Sequence, residues 1–390
     1  MSPGRGDSWD VIVVGAGAAG AAAAVHLASA GRAVLLLDQA PFPRPKPCGG
    51  GMAASVQALF PFDLSPVVEA VIEQVRFTWK LADPVLAQLP GAAPFWIVRR
   101  AQLDAFLVQR ALEAGACFRQ GCAVQAVQRR GGRWQVRQAG AAGDSGGPEA
   151  AALVIADGSG SRLVAGVGLG PSRPRFATTV SVELDGEVRD PATAHFAFGL
   201  VPQGFCWAFP RRGGTSIGLG SFIGRPAAAA VARSEADAVL SRLLPSLGYA
   251  PDAGERTVNR LRVWDGHHPL HGEGVLVAGD AASLCDPFLA EGLRPALLSG
   301  CRAAAAIHLW LAGDAAALPR YSEGLQRDWG ESMAWGRRIA SVFYRVPRVG
   351  YQLGIKRPTA PRRIAQILSG ELGYGDIAQR AIRRLLFQRG

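Results

Sequence analysis

The chain has 390 residues and a mass of 40.9 kDa, which is long enough to bury a large hydrophobic core without disulfide bonds. It is 49% hydrophobic and 19% charged, a balance that excludes an intrinsically disordered protein. The formal net charge is +11, and no apolar run reaches the roughly 18 residues of a membrane-spanning helix, so we do not expect the chain to cross a bilayer.

The N-terminal residues and the cysteine pattern predict the cellular compartment of the protein. The first ten residues carry no hydrophobic block typical of a signal or transit peptide, which predicts a cytoplasmic protein. The six cysteines show neither C-x-x-C spacing nor a paired Cys/His pattern, so we expect free thiols and no metal site.

The first predicted elements form a βαβ unit. An apolar strand at 10–14 leads into the turn G-A-G-A-A-G at 15–20, an alanine-rich helix to about Ser29, and a second strand at 33–37 followed by Asp38. The first glycine permits the tight turn, the second lets the backbone approach a pyrophosphate, and the third lets the helix pack closely on the strand. The helix N-terminus then faces the phosphates, and Asp38 accepts hydrogen bonds from the adenosine ribose. The unit predicts a dinucleotide site, for either NAD or FAD.

The order of the later elements favours FAD. An NAD enzyme with this turn normally continues as parallel strands and crossover helices, whereas this chain has a mixed order. In chain order we predict a helix at 99–114, strand material at 125–137, a strand at 153–156, alternating strands at 180–184, 193–198, 205–209 and 216–221, a buried strand at 274–278 and a long helix at 292–311. The alternating strands indicate an antiparallel sheet inserted into the nucleotide-binding domain.

Together these elements predict an α/β (α+β overall) fold with a Rossmann-like FAD-binding domain, an inserted antiparallel-sheet substrate domain and a basic helical C-terminal region. The predicted boundaries are 1–75, 97–172 and 265–320 for the discontinuous FAD-binding domain, 76–96 and 173–264 for the sheet domain, and 321–390 for the C-terminal region.

The C-terminal region carries most of the net charge. From Arg337 to Gly390 there are twelve Arg or Lys residues and two acidic ones, a net +10. Between Ile377 and Leu386 the apolar residues share one helical face and the arginines occupy the other. Such a helix either docks on an anionic membrane surface or closes the domain with a solvated basic face. Because no aromatic platform accompanies the charge, we expect no nucleic-acid partner.

Several motifs resemble those of a known flavoprotein family. The turn at 15–20, A-D-G at 156–158 and G-D-A-A at 279–282 are similar to the three flavin motifs of the para-hydroxybenzoate hydroxylase-type superfamily. The stretches P-F-P-R-P-K-P-C-G-G-G at 41–51 and F-C-W-A-F-P at 205–210 resemble the geranylgeranyl reductase family within that superfamily. The resemblance covers nearly the whole chain.

The resemblance implies an FAD site. The implied cofactor-binding residues are Gly15, Gly17, Ala18, Ala19, Gly20, Asp38, Gln39, Cys48, Gly49, Arg100, Val124, Asp157, Gly158, Gly279, Asp280, Pro287, Gly292 and Leu293. Asp280 is expected to accept hydrogen bonds from the ribityl hydroxyls, and the helix that begins at Gly292 to point its N-terminus at the N1/C2=O edge of the flavin. Arg100 contacts the cofactor's phosphates or ring edge, or else it only caps its helix.

The resemblance also implies catalytic and substrate-binding residues. Cys48, Phe205, Trp207 and Phe209 are the catalytic candidates, and Lys46 joins the three aromatic residues as a substrate-binding candidate. The three rings share one face of a strand, forming either a wall for a polyprene or an ordinary core stripe. Cys48 shapes the site, delivers a proton or gates the ring, or it is an inert buried thiol. Lys46 binds a substrate phosphate, or it is a solvated loop lysine.

Three positions depart from the pattern of the family, the first being Arg162, which is displaced from the usual arginine position after the 157–158 motif. Phe205 stands where a tyrosine is usual, which removes a hydroxyl that could orient water or substrate. Ala290 stands where a glycine is typical, and its Cβ is expected to narrow the approach to the flavin.

The predicted function is that of an FAD-dependent oxidoreductase which reduces C=C double bonds of an isoprenoid chain by hydride transfer from flavin N5 and protonation. The expected electron donor is NADPH, NADH or ferredoxin. The expected substrate is a prenyl lipid, a prenyl pyrophosphate, or a prenylated pigment or quinone. We expect a monomer that contacts an anionic membrane surface through its C-terminal helix. Two alternatives stay open: an FAD-dependent monooxygenase or halogenase, and a non-redox flavoprotein or membrane-associated scaffold.

Overall fold

A computed structural model describes residues 8–91, 94–139, 147–225, 233–357 and 359–379. The strands are β1 (Ser8–Val14), β2 (Val34–Leu37), β3 (Gly51–Ala53), β4 (Val68–Ile72), β5 (Gln74–Trp79), β6 (Ala82–Gln88), β7 (Phe95–Val98), β8 (Cys117–Arg119), β9 (Val124–Arg130), β10 (Arg133–Gln138), β11 (Glu149–Ile155), β12 (Arg175–Asp185), β13 (Thr193–Phe198), β14 (Gly204–Arg211), β15 (Gly214–Arg225), β16 (Thr257–Val263), β17 (His271–Gly272) and β18 (Val275–Val277). The α-helices are α1 (Ala18–Ser29), α2 (Arg100–Glu113), α3 (Leu163–Gly166), α4 (Arg233–Ser246), α5 (Leu293–Leu311), α6 (Ala317–Leu325), α7 (Glu331–Phe343), α8 (Pro347–Gly354) and α9 (Ala360–Leu368). Short 3-10 turns span Ala54–Leu59, Ser65–Val67 and Gly279–Ala282, and a π-helical turn spans Gln326–Gly330.

The first sheet has eight strands and holds the nucleotide-binding unit. Its order is β17-β18-β11-β1-β2-β8, and β1 pairs in parallel with both β11 and β2. The β9–β10 hairpin joins it by pairing with β11, so the predicted strand material at 125–137 is two strands and a turn. β1 and β2 are apolar because a parallel sheet is covered on both faces. One cover is the alanine-rich α1, which approaches α5 so closely that a Cβ on Gly300 would overlap the Ala19 carbonyl oxygen.

The second sheet has seven strands in the order β16-β12-β15-β14-β13-β5-β6. All of its pairs are antiparallel except β13 with β5, which is parallel. The predicted antiparallel arrangement is confirmed for β12 to β15, and β5, from an earlier part of the chain, adds to this sheet in parallel beside β13. On β14 the aromatic side chains lie in the main core, whereas Cys206 and Ala208 face a second, smaller core beneath α4.

A third sheet, β3-β7-β4, closes one side of the molecule, and α6 to α9 form the helical C-terminal region. The fold is thus the mixed α/β arrangement with a helical C-terminal region that the sequence predicts. Most of the predicted amphipathic tail helix lies outside the described residues. At its start, residues 374–379 are helical, with Ala378 buried and Ile377 packed against the main core. No helix in the described ranges is long and apolar enough to cross a membrane. All six cysteines are free thiols.

Candidate active site

A cavity of about 860 Å³ lies between the carboxyl ends of the parallel strands and the aromatic face of the second sheet. The chain segments that follow β1, β2, β11 and β18 all reach it, which is where ligands bind in open α/β sheets. The cavity is lined by the following predicted site residues: Gly15, Gly17, Ala18, Ala19, Asp38, Gln39, Lys46, Cys48, Gly49, Arg100, Val124, Asp157, Gly158, Phe205, Trp207, Phe209, Asp280, Gly292 and Leu293. Its volume is in the range of a large cofactor site.

The turn between β1 and α1 forms a backbone cradle that only glycine permits. Gly15 has φ +97°, a left-handed conformation, and a Cβ on it would lie 2.8 Å from the Cα of Asp157. A Cβ on Gly20 would overlap the carbonyl oxygen of Gly15. The turn therefore leaves exposed backbone and the start of α1 free to approach an anionic ligand.

Asp38 is held rigidly at the end of β2. Its Oδ2 accepts a hydrogen bond from the Ala16 amide at 2.8 Å, and its Oδ1 accepts one from the Ala40 amide at 2.9 Å. The side chain is buried, yet a carboxylate has further lone pairs that can accept from a ribose hydroxyl. Asp38 therefore both tightens the glycine turn and presents an acceptor to the cavity.

Two guanidinium groups lie at the same turn. A Cβ on Gly17 would be 3.3 Å from Nη2 of Arg44 and 3.6 Å from Nη2 of Arg100. Arg100 forms a two-pronged pair with Asp104, at 2.9 and 2.8 Å, and Arg44 lies 3.4 Å from the same carboxylate. Asp104 thus orients two cations toward the place where a pyrophosphate fits the turn. Sequence reasoning assigned no site role to Arg44 or Asp104, although the i,i+4 spacing of Arg100 and Asp104 on one helix is a pairing signal.

Two half-buried carboxylates, Asp157 and Asp280, also line the cavity. Burial raises the pKa of Asp157 to about 6, although Ser161 donates a hydrogen bond to the carboxylate. Its Oδ1 has no hydrogen-bond partner among the described residues. Burial also raises the pKa of Asp280, although the nearby positive charges of Lys46 and Arg100 lower that pKa in part. Both carboxyls have unused acceptor capacity, which suits the hydroxyl groups of a bound polyol chain.

The N-terminus of α5 points into the cavity. Gly292 is the N-cap and Leu293 the first helical residue, and both line the cavity. The N-cap is a glycine and supplies no side-chain cap. The helix therefore presents the positive end of its dipole to a ligand.

The loop at 41–51 lies across the cavity from α5. The Cys48 thiol accepts a hydrogen bond from the Gly50 amide at 3.3 Å. A Cβ on Gly49 would lie 3.0 Å from both Trp207 Nε1 and a ring carbon of Phe209, so this turn rests directly on the aromatic strand. Lys46 faces the cavity, and burial together with the neighbouring Arg100 lowers its pKa.

An aromatic wall closes the remaining side. It consists of Phe205, Trp207 and Phe209 on β14, together with Phe196 and Phe222, which sequence reasoning did not single out. Phe196 packs on Phe205 and Phe209, with ring centroids 5.4 and 5.3 Å apart. The indole N–H of Trp207 is buried and has no acceptor among the residues that the structure describes. The three predicted rings therefore face a cavity and are not only a core stripe.

Three residues expected to bind the cofactor do not line the cavity. Gly20 is at the contact between α1 and the glycine turn, and Gly279 has φ +65°, where a Cβ would lie 2.9 Å from the Cβ of Ala19, so each acts through backbone packing. Pro287 is buried within the loop that follows β18, whereas Leu289, Ala290 and Glu291 of that loop reach the cavity.

Arg262 is a further site residue that the sequence did not reveal. Its guanidinium donates to the carbonyl oxygens of Ser159 at 2.8 Å, Ala281 at 3.3 Å and Ser161. It thereby joins the loop after β11 to the loop after β18, the two segments that carry Asp157 and Asp280. No local pattern marks this arginine, because its partners are about a hundred residues away or in another element.

The loop that follows β18 is fastened from the C-terminal region. The Asp286 carboxylate accepts hydrogen bonds from the amides of Phe288 and Leu289 at 2.6 and 3.0 Å, and from the Tyr374 hydroxyl at 2.7 Å. Within this loop Ala290 has φ +57°, a region that favours glycine and explains why the family pattern has glycine there.

Comparison with known proteins identifies the family. The FAD dependent oxidoreductase family (DAO) matches residues 10–57 and 80–313. Digeranylgeranylglycerophospholipid reductase 2 from Methanothermobacter thermautotrophicus is 30% identical over 314 residues, which cover 73% of this chain and 74% of that protein. The chain belongs to the geranylgeranyl reductase family.

Other proteins similar to this reductase extend the comparison. A menaquinone reductase from Mycobacterium tuberculosis is 30% identical over 374 residues, covering 86% of this chain and 84% of that one. The crystal structure of a geranylgeranyl bacteriochlorophyll reductase-like protein from Thermoplasma acidophilum superposes with a TM-score of 0.74 at 21% identity, covering 94% and 93% of the two chains. The flavin-dependent brominase Bmp2 has the same fold, with a TM-score of 0.66 at 20% identity over 97% and 99%. At such identities the shared fold does not distinguish the activities.

The protein is accordingly a flavin-dependent oxidoreductase of the prenyl reductase type, and its cavity fits FAD. The glycine turn and the arginine pair suit the pyrophosphate, Asp38 suits the adenosine ribose, and Asp157 and Asp280 supply free acceptors for hydroxyl groups. The N-terminus of α5 suits a group that becomes negatively charged on reduction.

Proposed function

We propose that this reductase saturates carbon–carbon double bonds of a geranylgeranyl-type chain attached to a lipid or quinone head group. The observation that carries the proposal is the continuity of the aromatic wall with the nucleotide cradle in one cavity. A polyprene has no hydrogen-bonding groups, so it requires a long apolar surface next to the reacting centre. Two relatives that cover most of this chain are named for digeranylgeranylglycerophospholipid and menaquinone, both of which carry prenyl chains.

The proposed roles of the residues follow from their positions. When bound and reduced, FAD supplies the hydride for the alkene. Phe205, Trp207 and Phe209 hold the chain and exclude water from the cavity. Lys46, whose ammonium group lies among Asp280 and Arg100, attracts an anionic group on the substrate's head.

Cys48 is the proposed proton source for the second alkene carbon. It lines the cavity and lies in the turn that contacts Trp207 and Phe209 through the adjacent Gly49. The amide of Gly50 donates to the Cys48 sulfur and fixes its position at 3.3 Å. The thiol can give up its proton at Sγ and regain it from solvent that reaches the loop.

The test is an anaerobic reduction followed by mass spectrometry. The FAD-loaded protein is reduced with dithionite and mixed with a geranylgeranylated lipid or with menaquinone, and NADPH, NADH and reduced ferredoxin are compared as donors in parallel. We expect a mass gain of two hydrogens for each alkene reduced. A product that is oxygenated in air, or halogenated in air with halide present, would instead indicate a monooxygenase or a halogenase. Flavin that no prenyl acceptor reoxidises would indicate a non-redox protein.

A matched pair of thiol variants tests the role of Cys48. Cys122 also lines the cavity, in the segment that leads into β9 and not in the 41–51 loop. We expect Cys48→Ala to retain FAD and to lose at least tenfold in product formation, whereas Cys122→Ala keeps the wild-type rate. Equal rates in the two variants would exclude Cys48 as the proton source.

A further inference from the structure

Helices α7 and α8 expose an unusual set of apolar side chains. Val342, Val346, Val349 and Leu353 are 66%, 49%, 51% and 54% exposed. They account for four of the nine large hydrophobic residues that are exposed in the described part of the chain, and they lie within twelve residues. Exposed apolar residues scattered singly need no explanation, but a cluster of this kind marks an interaction surface.

The opposite side of the same segment is tightly packed. Phe343, Tyr344, Tyr351 and Ile355 are all buried. The Tyr351 hydroxyl donates to the carbonyl oxygen of Asp83 at 2.6 Å, which fastens α8 to the second sheet. The four exposed side chains are therefore the outer face of a firmly held element.

The surroundings of this surface are basic. Between Arg337 and Arg363 the sequence has eight Arg or Lys residues and no acidic residue. Arg345 and Arg348 are exposed between the apolar side chains, and neither forms an ion pair with any residue that the structure describes. An apolar patch within a cationic rim is complementary to a surface with anionic groups above an apolar layer.

We propose that the α7–α8 surface, formed by Val342, Arg345, Val346, Arg348, Val349 and Leu353, docks on an anionic lipid bilayer. A second copy of the chain fits less well, because two such cationic rims would repel each other. All six residues of the surface precede the predicted amphipathic tail helix in the sequence.

The position of this surface suits a protein whose ligand resides in a membrane. The Phe343 ring packs on Phe198 at 5.4 Å between centroids, and Phe198 packs on Phe205 at 5.7 Å. The buried face of α7 is thus two ring contacts from the aromatic wall of the cavity. The docking itself does not depend on the proposed function, because it is measured as lipid binding without turnover.

The test is sedimentation of the full-length, FAD-loaded protein with vesicles. We expect at least tenfold tighter binding to vesicles of equal phosphatidylglycerol and phosphatidylcholine than to pure phosphatidylcholine, with binding weakened by salt. The double variant Val349→Glu/Leu353→Glu is expected to lose at least tenfold in that binding. The control Val258→Glu/Leu309→Glu adds the same charges at positions 50% and 46% exposed on other surfaces, and should bind as the wild type does. Flavin absorbance confirms that each variant is folded.

Three results would overturn the proposal. The first is wild-type binding that shows no preference for phosphatidylglycerol, and the second is unchanged binding by the Val349→Glu/Leu353→Glu variant. The third comes from analytical ultracentrifugation: a wild-type dimer that this variant dissociates would show that a second copy covers the surface. Deleting residues 380–390 separates the contribution of the tail, which is expected to leave most of the binding intact.

Discussion

The hydrogen bond from Tyr374 to Asp286 makes a quantitative prediction about the loop that borders the cavity. Both side chains are about 1% exposed, and the bond is 2.7 Å long. In Tyr374→Phe the carboxylate keeps its two backbone donors and loses the hydroxyl. Hydrogen bonds to charged groups contribute about 1.5–3 kcal/mol, so we expect the free energy of unfolding to fall by about 2 kcal/mol. FAD affinity should fall as well, since Leu289, Ala290 and Glu291 of this loop line the cavity.

The loss of unfolding free energy in Tyr374→Phe should depend on pH. Burial raises the pKa of Asp286 in the folded protein, and the hydrogen bond from Tyr374 opposes that rise. Removing the hydroxyl raises the folded-state pKa further. A carboxyl whose pKa is higher in the folded than in the unfolded state costs stability as the pH rises through the folded-state pKa. The deficit of Tyr374→Phe should therefore be larger at pH 8 than at pH 5.

Urea unfolding at the two pH values measures this effect, and Tyr321→Phe is the matched control. Tyr321 is also buried, but its hydroxyl donates to the neutral carbonyl oxygen of Val277 at 2.7 Å. We expect that control to lose about 1 kcal/mol at both pH values, because no titrating acceptor is involved. Equal deficits for the two variants at pH 8, or a Tyr374→Phe deficit independent of pH, would refute the reasoning.

Three further predictions concern the backbone at Gly20 and Ala290 and the carboxyl of Asp157. Gly20→Ala forces a Cβ onto the Gly15 carbonyl oxygen, so we expect purified protein without absorbance near 450 nm and a destabilisation of about 3 kcal/mol or more; Gly166→Ala, where nothing lies within 4 Å, should keep its flavin. Burial raises the pKa of Asp157 from 3.8 to about 6, so stability of the flavin-free protein should fall as the pH rises from 4 past 6, by at most about 3 kcal/mol. Asp157→Asn should remove this fall in urea unfolding, and a constant difference between variant and wild type across that range would contradict the assignment. Ala290→Gly relieves a left-handed backbone and should raise the melting temperature, with a gain of about 0.5–1 kcal/mol; a lower melting temperature would show that the loop tolerates alanine without strain.

The sequence by itself determined the features that depend only on a few neighbouring residues. The glycine spacing at 15–20 predicts a turn without side chains, and the structure shows why at Gly15 and Gly20, where neighbouring backbone fills the space of a Cβ. The alternation of Phe205, Trp207 and Phe209 likewise placed three rings on one face of a strand, because successive strand residues point to opposite sides. The helix predicted at 292–311 is α5, Leu293–Leu311, and its pattern also lies within one short segment.

Only the tertiary structure decided which distant residues meet. Asp104 orients Arg44 across sixty residues of sequence, Arg262 joins two loops more than a hundred residues apart, and Tyr374 fastens a loop 88 residues before it. The parallel pairing of β5 with β13 is of the same kind. Such contacts depend on how segments that are distant in the sequence pack together in the folded protein. No periodicity or spacing within a short segment predicts that packing.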